Sequence, residues 1–93
     1  MSEMSRTVVV GSRVGLHSRP AKLVAEEAGK LSVIVKIAKN GGDPVDARSL
    51  LSILALGAKK GDEVIVTAEG EGADAAVDAL ALLIERDLDE DDA

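Results

Sequence analysis

The single histidine of this chain lies in residues 15–21 (GLHSRPA), a segment whose residue types could bind and transfer a phosphoryl group. Ser18 followed by Pro20 is typical of a helix start, because Ser caps a first turn and Pro is tolerated there. The first turn presents unpaired N–H groups and the positive end of the helix dipole, which together favour an anion. His17 would therefore lie beside a site suited to phosphate oxygens.

Basic side chains near His17 support the same chemistry. The guanidinium of Arg19 carries a fork of donors that matches phosphate oxygens, and Lys22 adds positive charge. Nearby positive charge disfavours an imidazolium, so His17 would stay neutral and nucleophilic near pH 7. Phosphoryl transfer needs mostly positioning and charge stabilisation, for which a small surface site suffices. The simpler alternative is that His17 is only an exposed or helix-capping residue and accepts no phosphoryl group. These residues alone do not decide between the two interpretations.

Composition excludes several other classes of function. The chain has 93 residues, 46% of them hydrophobic and 30% charged, which predicts one small globular domain. It has no cysteine and one histidine, which excludes disulfides, thiol redox chemistry and a multi-histidine zinc site, and we expect no metal or cofactor. The absence of aromatic residues and the net charge of −6 argue against nucleic acid. No apolar run approaches the roughly 18 residues of a membrane span and no signal peptide is evident, so we expect a cytoplasmic protein without membrane insertion.

Charge is distributed unevenly along the chain. Residues 1–60 contain 10 basic and 5 acidic side chains, whereas residues 61–93 contain 1 basic and 12 acidic side chains. The acidic run at residues 89–93 predicts a solvated, frayed tail that follows a single domain at residues 1–88. The basic half contains His17, so a negatively charged group is the expected ligand there.

Hydrophobic periodicity and turn residues predict the order βαββαβα. Strands are expected at residues 7–10, 32–37, 44–46 and 63–68, and helices from Ser18 to near Gly29, over residues 49–56 and from Ala73 onward. This order predicts an α+β fold, an open-faced two-layer sandwich in which three helices cover one face of a four-stranded antiparallel sheet. Strand 4 should insert between strands 1 and 2. Pro44 places strand 3 at a sheet edge.

Residues 70–75 (GEGADA) fit the G-x-G-x-x-A pattern of dinucleotide-binding proteins. The segment follows a predicted strand and opens a predicted helix, as that pattern requires. However, no strand follows that could pair in parallel, and Glu71 and Asp74 would repel a pyrophosphate. We interpret the glycines as a strand-to-helix turn.

Residues 15–21 and residues 48–54 (RSLLSIL) resemble the two signatures of the HPr family, the histidine-containing phosphocarriers of the bacterial sugar phosphotransferase system. The resemblance extends over almost the whole chain. It implies that His17 accepts a phosphoryl group on Nδ1 from phosphorylated Enzyme I, which phosphoenolpyruvate charges, and passes it to a sugar-specific enzyme IIA. Arg19 would stabilise the phosphate, and Ser18 would contribute a backbone N–H. Such a protein is a carrier instead of a stand-alone enzyme, and we expect a monomer.

The second signature implies a regulatory site and a docking surface. Ser49 could simply cap a helix, or it could match the position that a dedicated HPr serine kinase phosphorylates. Four apolar residues on so short a helix cannot all face inward, so Ile53 should enter the core while the others form an apolar patch that contacts Enzyme I and enzyme IIA. The patch would consist of Leu50, Leu51 and Leu54, with Lys22 among the basic residues around it.

Two other functions use the same residues. One is a regulatory HPr-like protein that acts by partner binding through Ser49 and the leucine patch, with phosphorylation of His17 serving control instead of sugar uptake. The other is a purely structural binding module, in which His17 has no role. The presence of His17 together with Arg19 favours phosphoryl transfer.

Overall fold

Four strands and three helices make up the part of the chain that the computed structural model describes, which is residues 3–11, 15 and 18–86. In chain order they are β1 (Glu3–Val9), α1 (Ser18–Gly29), β2 (Val35–Lys39), β3 (Val45–Asp46), α2 (Leu50–Ala55), β4 (Glu63–Glu69) and α3 (Ala73–Glu85). The predicted order βαββαβα is confirmed.

The strands form one antiparallel sheet in the order β1-β4-β2-β3. β4 lies between β1 and β2, as predicted, and its Val66 is opposite Arg6 of β1 and Ile37 of β2. β3 lies at the edge of the sheet directly after Pro44, where the missing N–H of a proline costs no ladder hydrogen bond. The α+β open-faced sandwich is therefore the fold of this chain.

Buried and less buried residues alternate along the strands, so one face of the sheet is covered by helices and the other is open. In β4, Val64, Val66 and Ala68 are buried, whereas the residues between them are half-buried or exposed. α3 packs on β1 and β4, while α1 packs against α2 and α3. The core is aliphatic, and its largest fully buried side chains include Ile37, Ile53, Leu80 and Ile84. Short aliphatic side chains let helices and sheet approach closely, which fits a chain without aromatic residues.

Some element boundaries differ from the predictions. β1 begins at Glu3, four residues before the predicted start, because Glu3, Met4 and Ser5 pair with β4 through their backbones although their side chains are exposed. β2 begins at Val35, since the chain after α1 first turns, with the N–H of Leu31 donating to the carbonyl of Ala28.

The predicted end of the domain at residue 88 and the acidic tail at residues 89–93 lie outside the described residues. None of the described helices is long and apolar enough to cross a membrane.

Candidate functional site

His17 lies outside the described residues, as do Leu16 and residues 12–14, but the chain on both sides of it is described. On one side the end of β1 is fixed to the turn that precedes β4. The N–H of Val10 donates to the carbonyl of Asp62 at 2.9 Å, and the N–H of Gly61 donates to the carbonyl of Val10 at 3.0 Å. The segment that leads to His17 therefore leaves the sheet from a fixed point.

Gly15, two residues before His17, is the second fixed point. It is buried and has a φ of +82°, which L side chains rarely adopt. A Cβ built at this position would lie 2.5 Å from the carbonyl oxygen of Ala58 and 2.8 Å from Cα of Lys59. Both the backbone conformation and the close backbone contact therefore require glycine here.

α1 begins at Ser18, directly after His17 in the sequence. Pro20 and Ala21 are buried and anchor the first turn, whereas the side chains of Arg19 and Lys22 are exposed. Pro at this point costs the helix nothing, because N–H groups of a first turn have no partner within the helix. The helix start thus combines a rigid inner face with two cations on its outer face.

The turn before β4 adds further positive charge next to Gly15. Lys59 and Lys60 are exposed there, and the turn is closed by the N–H of Lys59 donating to Oδ2 of Asp62 at 2.9 Å. This hydrogen bond holds the pKa of Asp62 below its ordinary value, and the ammonium of Lys39, 3.5 Å from the same carboxylate, acts in the same direction. A carboxylate that stays ionised keeps this turn closed at neutral pH.

Ser49 is the N-cap of α2. Its backbone is extended, with φ −96° and ψ 108°, and its hydroxyl oxygen accepts a hydrogen bond from the N–H of Ser52 at 3.2 Å. The helix-capping role that the sequence predicts for Ser49 is thus observed, whereas its regulatory phosphorylation stays a prediction. The two roles involve the same hydroxyl, so a phosphate on Ser49 would alter the cap.

Asp46 and Arg48 form a pair directly before Ser49 that sequence reasoning missed. Oδ1 of Asp46 accepts the backbone N–H of Arg48 at 2.9 Å, and Oδ2 accepts from Nη2 at 2.8 Å. The side-chain hydrogen bond from Arg48 is the largest cause that lowers the pKa of Asp46, and the backbone hydrogen bond adds to it. The available signal was the Asp-x-Arg spacing, because Asp commonly accepts a hydrogen bond from the backbone two residues on.

The structure distinguishes the residues of the predicted leucine patch. Ile53 is fully buried, as expected. Leu51 is 78% exposed, whereas Leu50 and Leu54 are half-buried and pack against the core. The patch therefore has one fully exposed member and two partly exposed flanks, and its contact with partner proteins stays a prediction. Since α1 packs against α2, the two signatures lie on neighbouring helices.

No group of three or more potential metal ligands (His, Asp or Glu) occurs among the residues that the structure describes. The described parts of the site contain hydrogen-bond donors, cations and one exposed leucine. Such a surface can hold an anion and dock a protein.

The fold defines a class, the small open-faced α+β sandwiches of four antiparallel strands and three helices. Within that class, a family model described as the PTS HPr component phosphorylation site matches residues 4–86. The chain belongs to the HPr family of phosphocarrier proteins.

Individual relatives agree with this assignment. The phosphocarrier protein HPr of Streptomyces coelicolor is 45% identical over 85 residues, which are 91% of this chain and 91% of that protein. The crystal structure of HPr from Bacillus anthracis has a TM-score of 0.84 at 32% identity and covers 90% of this chain and 99% of its own. The Bacillus subtilis catabolite repression protein Crh, solved as a domain-swapped dimer, has a TM-score of 0.69 at 33% identity, covering 86% of this chain and 91% of that chain.

Proposed function

We propose that this protein is the phosphocarrier of a sugar phosphotransferase system. His17 accepts a phosphoryl group from phosphorylated Enzyme I and passes it to a sugar-specific enzyme IIA, which supports carbohydrate uptake. The observation that carries the proposal is the family match over residues 4–86, a range that includes His17 and all of α1 and α2. The protein would work as a cytoplasmic monomer, without metal or cofactor.

The proposed step is an in-line transfer. The lone pair of Nδ1 of His17 attacks phosphorus, an N–P bond forms, and the bond between phosphorus and its donor breaks with its electron pair leaving on the donor. In the onward step a histidine nitrogen of enzyme IIA attacks phosphorus, and the N–P bond to His17 breaks with its electron pair returning to Nδ1. The N–H groups of Ser18 and Arg19 would face the added charge, since Pro20 has none to offer. The exposed guanidinium of Arg19 would bind the phosphate oxygens.

Docking would use the surface around this helix start. Leu51 offers an exposed apolar side chain, flanked by Leu50 and Leu54, and apolar contact of this kind forms the centre of many protein interfaces. The exposed cations Lys22 and Lys59 would attract acidic surfaces on Enzyme I and enzyme IIA. Encounter rates should therefore fall as salt concentration rises.

Intact-mass spectrometry tests the proposal. The protein and its His17→Ala variant are incubated with phosphoenolpyruvate, Mg²⁺ and purified Enzyme I. We expect one acid-labile phosphoryl group on the wild type and none on the variant. No added mass, with an Enzyme I that phosphorylates another carrier, would overturn the relay. Circular dichroism of the variant serves as the control, because a wild-type spectrum would show that the variant has lost the acceptor and not the fold.

Regulation through Ser49 is the second candidate function. The specific observation is that the Ser49 hydroxyl caps α2 next to the exposed Leu51, so a phosphate there would change both the cap and the charge of the docking surface. The alternative is an HPr-like regulator that binds partners through Ser49 and the leucine patch. An HPr serine kinase with ATP should then add an acid-stable phosphate to the wild type and none to Ser49→Ala. A regulator would bind its partner with His17→Ala unimpaired, whereas a relay would fail to transfer.

A further inference from the structure

We infer that Asp46 is a specificity-determining residue for docking: it holds the guanidinium of Arg48 at the open face of the sheet, away from the partner surface on α2. This inference rests on the proposed function, since that surface is the one that would contact Enzyme I. Arg48 directly precedes Ser49, the N-cap of α2, so this cation is next to the docking surface in the chain. The direction of its side chain therefore decides whether a partner meets the charge.

The carboxylate of Asp46 lies on the open face of the sheet. β2 and β3 are antiparallel, with Lys36 opposite Asp46 and Ile37 opposite Val45. Ile37 is fully buried in the core, whereas Lys36 is exposed. Successive residues of a strand point to opposite faces, and residues directly opposite each other share a face. Asp46 therefore shares the face of Lys36, which is directed away from the helices.

This carboxylate binds both the backbone and the side chain of Arg48. Oδ1 of Asp46 accepts the backbone N–H of Arg48 at 2.9 Å and a second hydrogen bond from Nε at 3.1 Å, while Oδ2 accepts from Nη2 at 2.8 Å. Two parallel side-chain bonds of this kind are stronger and more directional than a single contact. The N–H of Ser49 also donates to the carbonyl of Asp46 at 3.1 Å and closes the turn. The guanidinium is thus directed back toward β3.

α2 begins two residues later and belongs to the helix layer. Its Ile53 is fully buried, and α1 packs against it, whereas Leu51 is 78% exposed. The side chain of Arg48 is exposed, so no packing in the core fixes its direction. An arginine side chain has many rotamers, and without Asp46 it would be free to extend along α2. Asp46 therefore selects one of two directions that the chain allows.

The selected direction affects which proteins the docking surface attracts. The exposed cations Lys22 and Lys59 already favour acidic partners. A further cation beside Leu51 would strengthen the attraction to any acidic surface, whatever its shape. With Arg48 paired, recognition at this end of α2 depends on the fit of the exposed leucine, which disfavours acidic proteins of the wrong shape.

The size of the effect follows from distance and charge. Leu51 is three residues after Arg48, so a guanidinium extended along α2 would lie within about 10 Å of it. That distance is about one Debye length at 0.1 M salt. One additional unit charge at about 10 Å in water changes an association constant roughly twofold at low salt.

Asp46→Asn is the decisive variant, measured as a substrate of Enzyme I. Its amide oxygen can still accept the backbone N–H of Arg48, while the charge that binds the guanidinium is lost. We expect KM to fall about twofold at about 0.01 M salt with kcat unchanged, and the difference to vanish at about 1 M salt. Asp43→Asn is the matched control, because Asp43 is an exposed acid just before β3 that forms no ion pair within the described part of the chain. It removes the same charge without releasing a cation, so KM should fall less.

A double variant isolates the contribution of Arg48. Asp46→Asn combined with Arg48→Gln has the net charge of the wild type and should restore the wild-type KM. If the double variant keeps the lowered KM, if Asp43→Asn lowers KM as much as Asp46→Asn does, or if Asp46→Asn behaves like the wild type, the inference is wrong. A fall in kcat that follows a loss in Tm would show that Asp46 has only a structural role.

Nuclear magnetic resonance makes the test independent of Enzyme I. The amide protons of α2 are relaxed by an anionic and by a neutral nitroxide, and the ratio of the two effects reports the local charge. We expect Asp46→Asn to increase the relative effect of the anionic nitroxide at residues 50–52, and Asp43→Asn to leave it near the wild-type value. If Enzyme I does not phosphorylate the wild type, the phosphocarrier proposal fails, yet this ratio still reports the direction of Arg48. An unchanged ratio in Asp46→Asn would overturn the inference.

Discussion

The contact of Gly15 with the backbone of Ala58 and Lys59 leads to a quantitative prediction. Gly15 and Gly41 have nearly equal positive φ angles, +82° and +86°, but their surroundings differ. A Cβ on Gly15 would meet backbone atoms at 2.5 and 2.8 Å, whereas a Cβ on Gly41 would have no neighbour within 4 Å. Replacing each by Ala therefore separates the cost of the backbone conformation from the cost of the contact.

The two costs can be worked out separately. A left-handed conformation destabilises an L residue by about 1–2 kcal/mol. Ala also restricts the unfolded chain more than Gly does, which offsets about 0.4–1 kcal/mol of that destabilisation. Gly41→Ala should therefore lower the free energy of unfolding by about 1 kcal/mol. Gly15→Ala carries the same backbone cost and an overpacking cost of about 1–3 kcal/mol, giving about 2–4 kcal/mol in total. A domain of this size has roughly 5–14 kcal/mol of stability, so both variants should fold.

Urea unfolding followed by far-ultraviolet circular dichroism is the suitable assay, because the chain has no aromatic residue to fluoresce. The reasoning is refuted if Gly15→Ala and Gly41→Ala lose the same stability, because the loop before α1 would then give way freely. If the loss at Gly15 is larger but the m-value changes too, the denatured state has changed and the comparison must use Tm instead.

Four further substitutions test the core, the docking surface, the helix cap and the charged turn. Ile53→Ala should lower the free energy of unfolding by about 2–5 kcal/mol in urea titrations, because Ile53 is fully buried. Leu51→Ala, at a side chain 78% exposed, should change it by less than about 0.5 kcal/mol while weakening Enzyme I binding in calorimetry. Ser49→Ala removes the acceptor for the Ser52 N–H and should cost about 1 kcal/mol, most of which Ser49→Asp should retain. The lowered pKa of Asp62 contributes stability at neutral pH that is lost as pH falls below about 4, so wild type and Asp62→Asn should converge in acid.

The strand order and the helices could be predicted because each depends on local patterns. Val64 and Val66 alternate with less buried residues, and Pro44 limits β3 to an edge. The start of β1 could not be predicted in the same way. Residues 3–5 contain a single apolar residue, Met4, which is too little for a strand pattern, and their strand exists because the backbone of β4 pairs with them.

The sequence predicts the residue types of the candidate site but not their contacts. The sequence indicated Arg19 and Ser49 correctly as residues at helix starts, since capping is a local property. It could not settle which leucines of α2 are exposed, because six residues give fewer than two turns. Nor could it predict the contact of Gly15 with Ala58 and Lys59, since a glycine in a loop has many explanations and only the fold brings these residues to it.

A carrier has to accept a phosphoryl group and then release it, which limits how strongly its site can bind phosphate. A buried cradle with several cations would stabilise the bound state and slow the onward step. The described residues on either side of His17 fit the opposite requirement of the proposed carrier: the backbone is fixed at Val10 and Gly15, while Arg19 is exposed to solvent. In the proposed carrier, a fixed backbone would lower the cost of aligning the acceptor for both partners, and screened side-chain charge would keep the phosphorylated state reactive. Under the proposed function a domain of 93 residues would need no chamber for this chemistry, because each docked partner would bring its own groups to the surface that α1 and α2 share.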